Sequence, residues 1–248
     1  MKTRSLILCA LTMVIATTGC RRAPGKPGAE PEVARPEQLV DFPTLYAENC
    51  ASCHGVKGQN GAAISLANPV YISIAGGENI SRVTAEGVRG TAMPPFARSS
   101  GGMLTDQQIA ILAHGIVSTW SNPSALAGQT PPAYVSSISG DALRGRVVFN
   151  TLCASCHGVD AAGGRALNGA TTGPLVDPAY LALVSDQSLR SIIISGKPEQ
   201  GMPDWRNHQA GSVAHTLSEQ EIADVVRWLG SHRIATPGQP YQTRPLVF

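Results

Sequence analysis

Apolar residues recur at helical spacing in several short stretches, each bounded by residues that start or stop helices. Ile109, Leu112, Ala113, Ile116 and Trp120 share one face of a predicted helix. The run Thr105-Asp106-Gln107-Gln108 ahead of them is a capping-box pattern, in which the first and fourth side chains satisfy free backbone N–H groups. Ile222, Val225, Val226 and Leu229 repeat this behind Ser218-Glu219-Gln220-Glu221. Leu189, Ile192 and Ile193 predict a helix from about Asp186 that stops at Gly196, and a weaker one runs from Ile80 to Glu86 and stops at Gly87. Asp41 is placed to cap a short helix carrying Phe42, Leu45 and Tyr46. Leu143, Val147, Val148 and Phe149 predict a helix leading into residue 153.

Between these stretches the chain is polar and rich in Pro and Gly. That divides it into two units, 41–120 and 140–234, joined by a linker at 121–139 and followed by a Pro-rich tail at 235–248. Residues 1–19 read as an export signal: Lys2 and Arg4, then a largely apolar run from Leu6 to Ala16 that is too short to span a bilayer. Thr17-Thr18-Gly19-Cys20 resembles a bacterial lipobox, with Thr17 where Leu is usual. The resemblance implies that Cys20 is lipidated and that residues 20–40, with Pro24, Pro27, Pro31 and Pro36, are a flexible tether. The expected location is the periplasmic side of a bacterial membrane, the alternative being a soluble periplasmic protein.

Charge adds little. Lys and Arg number 19 against 17 Asp and Glu, and there is no basic stripe or basic-aromatic interleaving, so nucleic acid is not an expected partner. Aromatic residues are 5% of the chain, with 26 Gly and 18 Pro, so a folded core needs apolar material from elsewhere.

The cysteines supply the chemistry. Cys50-Ala51-Ser52-Cys53-His54 recurs as Cys153-Ala154-Ser155-Cys156-His157. C-x-x-C-H is the pattern for covalent haem attachment: two thiols add to the porphyrin vinyl groups, and the adjacent imidazole ligates iron. Two copies imply two haems c. Zinc binding and dithiol redox chemistry are the alternatives. A four-thiolate zinc site would have to bring the pairs together across about a hundred residues, and it leaves each following His unexplained. The other two cysteines, Cys9 and Cys20, fall in the leader region, so no pair remains for a disulfide.

Aligning the units on these motifs sets Asn68-Pro69-Val70-Tyr71 against Asp177-Pro178-Ala179-Tyr180 and Gly87 against Gly196. Met93-Pro94 then meets Met202-Pro203 without a gap. The second unit is longer in the haem-side loop, and again beyond the methionine. A thioether is a soft donor that raises the reduction potential of haem iron, and proline stiffens the loop presenting it. Met93 and Met202 are therefore the expected axial ligands. Met103, with no following proline and no counterpart, is the rival in the first unit.

Both units resemble class I cytochrome c domains, over about 41–120 and 140–234. The resemblance implies an all-α fold of two tandem domains, each a few short helices around one haem. Gly145 and Phe149 match the Gly-x-x-x-aromatic of the family's first helix, which crosses the last helix closely. Gly173-Pro174-Leu175 resembles the segment whose Pro carbonyl receives the proximal His N–H, which implies that Pro174 orients His157. The first unit departs at both places, with Phe42 and Pro43 at the glycine and Ser65 at the proline. Two-haem chains of this kind resemble cytochrome c4-like proteins and the dihaem subunits of respiratory oxidases and dehydrogenases. The implied function is electron transfer, free or as a complex subunit. The donor would be a quinol-oxidising complex or dehydrogenase, and the acceptor an oxidase, another cytochrome or a photosynthetic reaction centre. The alternative is a dihaem enzyme of the peroxidase or thiosulfate-oxidising type, which needs an exchangeable or non-Met ligand.

Overall fold

The first unit begins at Asp41, whose carboxylate accepts the Thr44 N–H at 3.1 Å and starts α1 (Phe42–Asn49). The computed structural model describes residues 35–165, 169, 171–206, 208–210 and 213–234, the side chains of 208–210 excepted. The export signal, Cys20, residues 21–34 of the tether and the C-terminal tail lie outside the described residues.

A single turn, α2 (Ala51–His54), follows α1. Next comes α3 (Pro69–Glu86), much longer than the predicted Ile80–Glu86. Its start is set by Asn68, whose Oδ1 accepts the N–H groups of Val70 and Tyr71 at 2.9 and 3.3 Å, with Pro69 in the first helical position. Gly76, at φ 68° and ψ 160°, breaks the helix midway. Helix α4 (Asp106–Trp120) carries both halves of the predicted capping box.

The second unit repeats the order. Asp141 caps α5 (Ala142–Leu152), α6 (Ala154–His157) is the second single turn, and Asp177 with Pro178 starts α7 (Pro178–Leu183). Helix α8 (Asp186–Ser195) is capped by Ser185, and α9 (Glu219–Gly230) carries the second capping box. Two antiparallel hairpins interrupt the helices: β1 (Gly164–Arg165) with β2 (Thr171–Thr172), and β3 (His208–Ala210) with β4 (Val213–His215). They stand at the two places where the second unit is longer than the first, so the insertions are hairpins added to an otherwise helical fold.

Each unit crosses its first helix against its last, and the two crossings use opposite partners. In the second unit α5 offers Gly145. A Cβ there would lie 2.0 Å from the Asp224 carbonyl oxygen and 2.8 Å from the Trp228 Cβ. In the first unit α4 offers the glycine: a Cβ at Gly115 would lie 2.1 Å from the Phe42 ring. Aligned on the haem motifs and capping boxes, Phe42 stands where Gly145 does and Gly115 where Trp228 does. The large and small residues have changed helices, which keeps the crossing filled. The departure at Phe42 is thus compensated within the same unit.

Leu143 and Val147 of α5 are 80% and 66% exposed. The close approach at Gly145 decides the face, turning Gly145, Phe149 and Leu152 inward and the other stripe out.

From Glu37 the chain forms one compact unit holding both repeats. Val70 of α3 belongs to the second repeat's core, and Ile74 packs against it. The segment read as a linker is gripped at residues 133 and 134. Arg190 donates to the Ala133 carbonyl at 2.7 Å, Glu219 accepts the Ala133 N–H at 2.6 Å, and Gln187 donates to the Tyr134 carbonyl at 2.8 Å. Arg190 is buried and closes the clamp on Glu219 at 2.5 Å. The Tyr134 side chain packs on the first repeat's core.

Candidate haem sites

In both units the C-x-x-C-H stretch is one tight helical turn entered from the first helix. The Cys53 and His54 N–H groups donate to the Cys50 carbonyl at 3.2 and 3.0 Å, and those of Cys156 and His157 donate to Cys153 at the same distances. One turn gathers the side chains at i, i+3 and i+4 on one side, so both thiols and the imidazole serve a single planar ligand. All four sulfurs are free thiols. Burial, reinforced by the neighbouring cysteine, pushes the Cys50 thiol up to about 11 and the Cys153 thiol up to about 12. Among the described residues no three His, Cys, Asp or Glu side chains converge as a metal site. The donors fit an iron that arrives with four porphyrin nitrogens of its own.

His54 is buried, and its Nδ1 donates to the Ile64 carbonyl at 2.8 Å, which leaves the Nε2 lone pair as the metal donor. Burial lowers its pKa more than this bond raises it, so the ring stays neutral, as ligation requires. The Ile64 carbonyl was not foreseen from sequence. It lies one residue before Ser65, the position matched to Pro174, and that adjacency is the signal that could have found it.

The second unit differs. The Pro174 carbonyl accepts the Asp177 N–H at 3.3 Å, while His157 Nδ1 is buried without a hydrogen-bond partner. Pro174 therefore does not hold His157 in the way the resemblance implied. Its counterpart Ser65 does the same work in the first unit, accepting the Asn68 N–H at 3.4 Å. In both units this carbonyl closes the turn before the capped Asx-Pro helix. Burial alone lowers the His157 pKa.

The methionine loops are built alike. Gly87 and Gly196 end α3 and α8 with φ 66° in each, an angle that favours glycine. A Cβ on Gly87 would lie 2.5 Å from the Pro95 nitrogen and 2.8 Å from the Met93 carbonyl oxygen; on Gly196 it would lie 2.5 and 2.7 Å from the carbonyl oxygens of Pro203 and Met202. The next residue then donates to the methionine carbonyl, Val88 to Met93 and Lys197 to Met202, at 3.0 Å each. Met93 and Met202 are half-buried, whereas Met103 is 82% exposed. Of the histidines in the second unit's longer loop, His215 is engaged, its Nε2 2.9 Å from the capping-box Glu221.

Comparison with known proteins agrees with the repeat. A family model described as cytochrome c matches residues 142–233, and one described as cytochrome c oxidase, cbb3-type, subunit III matches residues 38–114. The cbb3-type cytochrome c oxidase subunit FixP of Sinorhizobium medicae is 30% identical over 199 residues, covering 75% of this chain and 59% of that protein. The CcoP subunit of an Azospirillum species is 27% identical over 205 residues, 75% of this chain and 64% of its own length. The cytochrome bc1 complex cytochrome c subunit of Corynebacterium diphtheriae is 22% identical over 253 residues, 96% of this chain and 83% of that one. The chain thus spans about six-tenths of the length of the oxidase subunits it matches. With a cytochrome c match on each repeat, the chain is a dihaem class I c-type cytochrome, two cytochrome c domains in tandem carrying two covalently bound haems.

Proposed function

We propose that the protein carries electrons between respiratory redox proteins and turns over no substrate of its own. The observation that carries this is the parallel construction of the two Met-Pro loops, in each of which a helix-ending glycine packs on the backbone of the methionine read as the sixth iron ligand. Cys50 and Cys53 hold one haem and Cys153 and Cys156 the other. His54 and His157 would ligate the two irons through imidazole nitrogen, and Met93 and Met202 through thioether sulfur. When bound, each haem supplies a one-electron Fe(II)/Fe(III) couple. The protein's own part is to bury the imidazoles, fix the His54 tautomer through Ile64 and offer a thioether that would hold the potential high.

The relatives named as oxidase and bc1 subunits support a respiratory partner on either side, and a place within such a complex. We further propose that the chain is exported, lipidated at Cys20 and tethered through residues 20–40, with domains at 41–120 and 140–234. No described helix is long and apolar enough to cross a membrane.

The test is a redox titration of the holoprotein with a parallel peroxide and thiosulfate turnover assay. The expected result is two one-electron steps and no turnover above free haem. Peroxide or thiosulfate turnover abolished by substitution at one haem would establish the enzyme reading instead.

A further inference from the structure

We propose that Asn68 of the first domain is a positioning residue for the second haem's methionine loop, so that one domain tunes the other. This rests on the reading of Met202 as an axial ligand. The Asn68 side chain is 4% exposed and fully used. Its Oδ1 caps α3, and its Nδ2 reaches across the domain boundary to the Ser195 carbonyl at 2.9 Å and the Gly196 carbonyl at 3.2 Å. A helix leaves its last carbonyls without partners inside the helix. At the end of α8 the Ser195 carbonyl is satisfied from the other domain. The N-terminus of α3 thereby meets the C-terminus of α8, an arrangement that their helix dipoles favour.

The residues held this way are the ones that seat the loop. Gly196 packs against the carbonyls of Met202 and Pro203, and Lys197 pairs in both directions with Met202, at 3.0 and 3.1 Å. The arrangement is one-sided. Glu86, the first-domain counterpart of Ser195, is exposed, whereas Ser195 is 2% exposed. The repeat partner of Asn68 is Asp177, which caps α7 through Oδ1 at 2.9 Å. A carboxylate therefore suffices for the cap. Only an amide both caps α3 and donates to two carbonyls of its neighbour.

This difference supplies the test. Asn68→Asp keeps a capping oxygen and turns the cross-domain donor into an acceptor facing two carbonyls. Asn68→Ser keeps a cap, removes the donor and adds no charge. Both are made in the full-length holoprotein. Each haem's potential and far-red Met–Fe(III) band are then read, the signals being assigned with Met93→His and Met202→His chains. The expected result is that both variants weaken the second haem's band and lower its reduction equilibrium constant by about threefold to tenfold, the factor one net hydrogen bond is worth. The first haem's band and potential stay unchanged. Two intact bands in the parent chain, with the second haem indifferent to both variants, would overturn the proposal and leave the ligation reading standing. A parent chain lacking the band that Met202→His should remove would overturn both.

Discussion

Asp224 shows how a single buried carboxylate organises the second domain. It is 2% exposed and accepts from the Asp141 N–H at 2.6 Å, the Arg144 guanidinium at 2.8 and 3.0 Å, and the Gln220 amide at 2.9 Å. Burial alone raises its pKa, but the Arg144 fork and the two further donors outweigh burial and hold it below the ordinary carboxylate value. A carboxyl depressed in the folded state stabilises the fold at every pH above its unfolded pKa. That contribution is lost as pH falls through the folded value. Asp224→Asn should therefore destabilise the second domain at neutral pH and flatten the acid limb of its stability profile, the gap from the parent closing in strong acid. Denaturant unfolding followed across pH reads this directly. At the haem sites the contrast between His54, bonded to Ile64, and His157, whose buried Nδ1 has no partner, predicts that the two haems differ in their surroundings although their sequences match.

At the scale of elements, the exchange between Phe42/Gly115 and Gly145/Trp228 makes a prediction of its own. Gly115→Ala brings a Cβ into the Phe42 ring and should cost about 1–3 kcal/mol. In a Phe42→Ala background the clash is gone, so the two substitutions should couple in a double-mutant cycle followed by thermal unfolding. This is also where the limits of legibility are clearest. The capping boxes, the helix stops at Gly87 and Gly196 and the helix leading into each haem turn could be read directly, because local hydrogen bonding alone decides them. The first half of α3 was not read, although Asn68-Pro69 is as good a start signal as Asp177-Pro178, because Gly76 breaks the apolar period behind it. Which stripe of α5 faces inward does not follow from apolar spacing, since Leu143 and Val147 are exposed and the tertiary approach at Gly145 selects the other stripe. The six-residue and four-residue excesses could be counted in the sequence. Their folding into hairpins could not, since pairing depends on what each loop packs against.

For the whole molecule, the segment joining the domains is a strap. Its Pro-rich composition reads as a linker, yet Ala133 and Tyr134 are bound on one side by Arg190, Glu219 and Gln187, and Tyr134 packs on the first repeat's core on the other. Removing one member of a buried ion pair leaves the other charge stranded. Glu219→Ala should therefore cost about 2 kcal/mol, less than a fully buried pair because Glu219 is half-exposed. It should also open residues 129–139 to limited proteolysis faster than the rest of the chain.

The central claim, that each domain holds one haem between His and Met, is tested by the far-red band of the oxidised holoprotein calibrated against haem content. The account predicts two haems per chain with full band intensity, half of it lost in Met93→Leu, half in Met202→Leu and none in Met103→Leu. Half intensity in the parent chain, or a loss on changing Met103, would contradict it.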